Sequence, residues 1–280
     1  MKFMSIKTNH TKIILYFLLA VFAFQVNYFY ANIGLYPIDS FSFFDTGYLI
    51  TKGHHPIKDY WVISGILIDY LQSLFFKLFG PSWKAYIYHA STLNVFVSLL
   101  FFFFLNKFIK NLTFNFVLSL SLSILCYPVA GTPFPYQHAL ILSYASIIIF
   151  YLAIYENKKV YWQVLPTLMI ASFLSMQLPS GLINLLLIFF IIFYFFLIDK
   201  KFLKDLLIGF TYSLIIIIFY FSFVGVSIKD FFIQIILFPL DFGTARIVGE
   251  ESAYTSANLL NKFTFRGVIG HFKFINFFIF

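Results

Sequence analysis

Apolar runs of about 20 residues, broken by short polar stretches, recur along most of the chain, which is the spacing a bilayer imposes on spanning helices. The first runs from Ile13 to about Tyr30, follows Lys2, Lys7, His10 and Lys12, and ends in the aromatic group Tyr28-Phe29-Tyr30. No small-residue cleavage site follows it, so it reads as an uncleaved transmembrane helix and not as a signal peptide. Further spans are predicted at about Ala85–Leu105, Phe114–Val129, Ala139–Tyr155, Val160–Met176, Gly181–Ile198 and Leu206–Val224. Apolarity returns at Phe272–Phe280, like an eighth span cut short; the expectation is a fragment, or a chain that lacks a carboxyl-terminal half.

The predicted fold is an all-α polytopic membrane protein of seven to eight transmembrane helices, with interfacial helices in the first extracytoplasmic loop. It reads as one membrane domain. A first span covers residues 12–30, a loop 31–83, six spans 84–225, an extracytoplasmic segment 226–271, and the start of a further span 272–280.

Loop charge orients this scheme. Lys107 and Lys110, then Lys158 and Lys159, then Lys200, Lys201 and Lys204 fall in alternate loops, while Ala130–Gln137 and Gln177–Ser180 carry no Lys or Arg. With the basic loops cytoplasmic, the amino terminus is cytoplasmic too. The same rule decides how Val62–Phe79 lies. Its Ile63, Leu67, Tyr70, Leu71, Leu74 and Leu78 recur at helical spacing on one face, and Asp69, Gln72, Ser73 and Lys77 fall on the other. A full crossing there would move every later basic loop outside, so the segment is predicted to lie along the interface.

Composition narrows the function classes. The 280 residues are 61% hydrophobic and 11% charged, against roughly 25% charged in soluble domains, which excludes a soluble enzyme. The net charge of +8 sits in the short topogenic loops, so it does not indicate a nucleic-acid partner; the lipid bilayer is the partner that the composition requires. Cys126 lies inside an apolar run and reads as a small buried hydrophobe. Phosphate-binding glycine loops, zinc-helix and nucleophile-elbow motifs are absent from the sequence.

The polar chemistry gathers between Asp39 and Gly80, which holds Asp39, Asp45, Asp59 and Asp69, the pair His54–His55, Lys58 and Trp61. Gln137 and His138 follow the Pro133–Pro135 turn on the same predicted side, as do Gln177 and the stretch 241–262 with Arg246. Several of these residues have simpler roles open to them. Asp39 suits a cap for a helix starting near Ser40–Phe41, Asp59 beside Lys58 suits a turn clasp, and Gln177 before Pro179 suits a helix end. His54 and His55 suit either a phosphate or a turn, and two adjacent histidines do not hold a metal without further ligands.

Three segments follow one another in a specific order: Asp45-Thr46-Gly47-Tyr48, then Gly53-His54-His55-Pro56-Ile57-Lys58-Asp59-Tyr60, then Leu74-Phe75-Phe76-Lys77-Leu78-Phe79-Gly80. This order resembles the first extracytoplasmic loop of GT-C membrane glycosyltransferases, in their bacterial protein-mannosyltransferase-like and rhizobial lipopolysaccharide-core-glycosyltransferase-like branches. The resemblance covers about residues 10–240 and is strongest at 39–80. It implies an enzyme of the bacterial inner (plasma) membrane that moves a sugar from a polyprenyl-phosphate donor to a lipid, glycan or protein acceptor outside the cytoplasm. It also implies that Asp45 is the general base on the acceptor hydroxyl, with Asp39 as the alternative acid. His54, His55, Lys58, Gln137, His138 and Arg246 are then the candidates for binding the donor phosphate or the acceptor. Many relatives carry a second acidic residue in the next outside loop, where this chain has Pro135-Tyr136-Gln137-His138, so no divalent metal or other cofactor is called for. The alternative is a non-enzymatic carrier or flippase of lipid-linked saccharides, or an inactive relative of these enzymes.

Overall fold

Helices fill the places where the spans are predicted. The computed structural model describes residues 2–33, 41–62, 64–127 and 131–239. In chain order it contains α1 (Lys2–Ala31), α2 (Ser42–Thr51), α3 (Leu67–Phe79), α4 (Trp83–Phe108), α5 (Leu112–Leu125), α6 (Pro135–Glu156), α7 (Lys159–Ser175), α8 (Gln177–Leu197), α9 (Leu203–Val224) and α10 (Ile228–Phe232), which continues as a π-helical turn over Ile233–Leu237. No strand occurs among the described residues.

The boundaries follow local chemistry. Ser82 and Asn111 cap α4 and α5 by accepting hydrogen bonds from the Ala85 and Phe114 amides, and Pro135 opens α6, where its missing N–H is not needed. Left-handed residues end two helices, Asn157 after α6 and Gly225 after α9. A single extended residue, Met176, separates α7 from α8, so Gln177 opens a helix where the sequence suggested that it ends one.

Among the described residues, five helices are long and apolar enough to cross a membrane: His10–Ala31 of α1, α4, α6, α8 and α9. This makes the chain an all-α, multi-pass membrane protein. The other two predicted spans are shorter. α7 has 17 residues. α5 has 14 residues, or about 21 Å of helix against a hydrocarbon thickness of about 30 Å. α3 begins at Leu67 rather than Val62 and has 13 residues, too few to cross. The start of the predicted extracytoplasmic segment 226–271 is helical, as α10 with its π-helical turn. The segment 241–262 and Phe272–Phe280 lie outside the described residues.

Polar groups buried in this apolar bundle join helices to one another. Asn27 of α1 donates to Ser91 Oγ (3.1 Å) and to the Gly131 carbonyl (3.0 Å), and Asn94 of α4 donates to the carbonyls of Ala23 and Ser123 (2.9 Å each). Such bonds matter in a bundle where lipid is as apolar as the core. At one end of the bundle, Glu156 binds Lys107 at 2.7 Å and also Lys158, tying α4, α6 and the start of α7. The opposite end gathers the carboxyl ends of α1, α7 and α9 and the amino ends of α4 and α6, and there the first loop is seated.

α7 and α9 approach closely because Gly209 faces the α7 backbone; a Cβ there would lie 2.0 Å from the Gln163 carbonyl oxygen. The crossing is pinned on either side of that contact by Gln163 donating to Asp205 (2.7 Å) and by Thr167 with Ser213 (2.9 Å). Gly209→Val is therefore expected to lower the thermal midpoint in detergent, at a cost of about 1–3 kcal/mol, the usual range for overpacking. Gly181→Ala, where a Cβ meets open space, is the control and is expected to leave the midpoint in place.

Candidate functional site

The site begins with a helical hairpin, α2 against α3, laid across the amino end of α4. α3 is amphipathic, as predicted, but its polar face points into the protein. Asp69, Gln72 and Ser73 are buried with Ile68 and Phe76, while Leu74, Leu78 and Phe79 are exposed. Lys77 alone of the predicted polar face reaches outward. The exposed apolar edge suits the interface; the inward polar face makes the hairpin. Asp69, 3% exposed, accepts hydrogen bonds from Thr46 Oγ1 of α2 (2.7 Å) and from Tyr60 OH in the following loop (3.1 Å). Burial raises its carboxyl from the ordinary 3.8 to about 6, against the opposing pull of those two donors. Tyr60 is pushed up by its own burial and by the Asp69 charge.

Asp45 occupies the first turn of α2, where a carboxylate suits the helix amino terminus, and it is exposed. Its neighbour Thr46 is the residue tied to Asp69, so the buried carboxylate fixes the helix turn that presents the accessible one. About 9 Å of helix axis then separate Asp45 from Thr51, where the loop begins.

Residues 52–62 form a turn with an unusual backbone. Ile57 has φ +73°, a left-handed conformation that a β-branched side chain rarely adopts. The surroundings hold it there. Its amide donates to the Tyr60 carbonyl (3.0 Å), Asp59 accepts from the His55 amide (2.7 Å), and the Ile57 side chain packs with Val62, Ile66, Val224, Val226 and Ile235. Gln234, in the π-helical turn, closes the clasp: its Oε1 accepts from the Val62 amide (3.0 Å) and its Nε2 donates to the Ile57 carbonyl (3.1 Å). Downstream, Gly65 lies so close to α7 that a Cβ would fall 1.7 Å from the Leu174 carbonyl oxygen, and its amide donates to Ser175 (3.1 Å).

The predicted site residues fall into three groups. Asp45, His54 and Lys58 are exposed around the hairpin and turn. His55 is half-buried, its Nδ1 2.9 Å from Tyr70 OH, and burial lowers it more than Asp59 raises it. Gln137 is half-buried in the first turn of α6, but His138 is fully buried and faces inward, 3.1 Å from His89 of α4. Asp39 and Arg246 lie outside the described residues. No group of three or more His, Cys, Asp or Glu side chains able to hold a metal stands among the described residues. His89 and Gln234 go unremarked by sequence motifs, because each looks like an isolated polar residue in an apolar helix; Gln72 was placed on the polar face of its helix but without a partner.

A second feature adjoins the turn. A cavity of about 760 Å³ lies between α7, α8 and α9, walled by Met169, Phe173, Leu185 and Phe210 and closed at one end by Ile235 and Ile236 of the π-helical turn. Gln177 also lines it, with a buried Nε2 that has no hydrogen-bond partner.

Two outcomes follow. The raised Asp69 carboxyl means that the folded state binds a proton more tightly than the unfolded chain, so its contribution is favourable below pH 3.8 and is lost as pH rises to about 6. Asp69→Asn is expected to remove that slope, on the order of 3 kcal/mol, in denaturation curves compared at acid and neutral pH. Gln234→Leu keeps the volume but removes both backbone contacts; it is expected to cost about 2–3 kcal/mol and to raise hydrogen exchange at Val62 well above that at the α4 amides. No family model matches the chain, and neither a curated protein nor a solved structure matches it.

Proposed function

We propose that the protein is a membrane glycosyltransferase moving a sugar from a polyprenyl-phosphate donor to a lipid, glycan or protein acceptor, at the bundle end that carries the first loop. The observation that carries this reading is the shared π-helical turn. Gln234 holds the polar turn while the next residues, Ile235 and Ile236, wall the apolar cavity. A substrate with a charged head and a long apolar tail is matched by that pairing, since π-turns recur at functional sites and a ligand cavity is mostly apolar with few polar groups. The basic residues at the far end, Lys107 and Lys158, support an extracytoplasmic position for the loop and a cytoplasmic amino terminus in the plasma membrane.

In the proposed step the Asp45 carboxylate takes the proton of an acceptor hydroxyl while that oxygen bonds to the anomeric carbon. The bond from this carbon to the phosphate oxygen breaks, and polyprenyl phosphate leaves with the electron pair. A phosphate leaving group needs no general acid, so a single accessible carboxylate is sufficient. Its negative charge calls for donors, and Lys58 and His54 are exposed at the turn to supply them.

The test is sugar transfer in proteoliposomes supplied with a polyprenyl-phosphate sugar. Asp45→Asn is expected to lower turnover by about 10²- to 10⁴-fold, the usual contribution of a general base, with membrane insertion and thermal midpoint unchanged. Transfer at the unsubstituted rate in that variant would sink the assignment. Gly181→Trp, which projects into the open wall of the cavity, is expected to raise KM for the donor more than it lowers kcat. Lipid-linked saccharide crossing the vesicle membrane without a new glycosidic bond would indicate a carrier instead.

A further inference from the structure

Beneath α3 three side chains stand in file. Gln72 Oε1 lies 3.0 Å from His89 Nδ1, His89 Nε2 lies 3.1 Å from His138 Nε2, and His138 Nδ1 lies 2.8 Å from the Phe134 carbonyl oxygen. All three side chains are buried, at 0%, 3% and 0% exposure. The remaining polar atom of the file, Gln72 Nε2, has no partner. Facing the pair are Phe75 of α3, stacked on His89 with centroids 5.2 Å apart, and the phenol Tyr127, whose ring centroid is 6.5 Å from that of His138. No described carboxylate acts on either ring, and Asp69, one turn back on α3, is occupied by Thr46 and Tyr60.

Counting protons along this file gives a definite result. A carbonyl only accepts, so His138 carries its hydrogen on Nδ1; the Gln72 oxygen only accepts, so His89 carries a hydrogen on Nδ1 as well. With both rings neutral, two bare Nε2 lone pairs would then face each other at hydrogen-bond distance. With the amide in this orientation, one proton between the two nitrogens satisfies both, giving a monocation with three hydrogens on four nitrogens. The neutral pair is equally well bonded once the amide makes a half-turn: Gln72 Nε2 donates to His89 Nδ1, His89 Nε2 donates to His138 Nε2, and His138 Nδ1 donates to Phe134 as before. The two states differ by one proton, gained at His89 Nδ1, and by the orientation of one amide.

We propose that His89 and His138 form a binding site for one shared proton, gated by the Gln72 amide. The site is connected to the hairpin, because the stem of Gln72 packs on Gly47, where a Cβ would lie 2.6 Å from Gln72 Cγ. Gly47 is two residues from Asp45 on α2. The amide therefore turns at the end of a stem that rests on the helix bearing the exposed carboxylate, so proton occupancy changes the electrostatic surroundings of Gly47 without moving the stem. Ionisable residues within a membrane bundle are rare and mark functional sites.

The experiment is nitrogen NMR of the full chain, labelled with 15N-histidine, in lipid nanodiscs between about pH 8 and pH 4, where imidazoles titrate. The expected result is a nitrogen–nitrogen coupling across the two Nε2 atoms at both ends of the range and a single-step uptake of one proton, at His89 Nδ1. The backbone signals of Thr46 to Tyr48 are expected to move with the same midpoint. Uptake of two protons, uptake of none, or absence of the coupling would overturn the shared site; still signals at Thr46 to Tyr48 would overturn the link to α2. Gln72→Leu keeps the packing stem and removes the amide, and is expected to weaken proton binding by about tenfold, the effect of losing one hydrogen bond to a charged group. An unchanged midpoint in that variant would overturn the gate.

Discussion

The inward polar face of α3 is the interaction on which the loop end of the molecule depends. In a bundle surrounded by lipid, apolar contact does little to choose one arrangement of helices over another, because lipid tails are as good a solvent as a leucine side chain. Buried polar groups do choose, since each must find a partner or be left at a cost of a few kcal/mol. Asp69 finds Thr46 and Tyr60, and Gln72 finds His89. These few bonds fix α3 to α2, to the turn and to α4 at once. The exposed carboxylate takes its position from that helix, and the histidine pair meets it through Gln72.

The same demand explains the division of labour between Asp45 and Asp69. Two carboxylates on adjacent short helices would appear equivalent from composition. Burial makes Asp69 a poor ion and a good anchor, whereas Asp45 stays exposed to solvent on the same hairpin. The turn between them is likewise held from elsewhere in the chain, by Gln234 and by a small apolar cluster, which is how a positive-φ isoleucine persists.

Much of the fold was legible because its signals are collective. Twenty apolar residues in a row, a lysine pair in every second loop, and a serine or asparagine before a helix each state a structural fact locally. The limits of that legibility are equally physical. The amphipathic pattern of α3 was visible, yet amphipathicity says only that two faces differ; Gln72 and Asp69 turn inward because other polar groups wait there, which no local pattern records. His138 looked like a loop ligand because it follows two prolines, but His89, 49 residues earlier, draws it into the bundle. α5 is read as a span from its apolarity, although its helix ends at Leu125, before the predicted Val129. Gln234 could not be singled out at all, since its partners are backbone groups and a backbone leaves no mark in sequence.

The reach of the Gln234 clasp has a consequence for biosynthesis. Its bond to the Ile57 carbonyl spans 177 residues, with most of the transmembrane helices threaded between the two ends. At a synthesis rate of 5–20 residues per second, the turn emerges about 10–35 s before the glutamine that holds it. During that interval Ile57 has only the local bonds of the turn to keep its left-handed backbone, and the loop waits without its clasp. The turn is consequently set only after the helices between residues 57 and 234 have been made, and a ribosome that stalls before residue 234 leaves those helices with their loop unset.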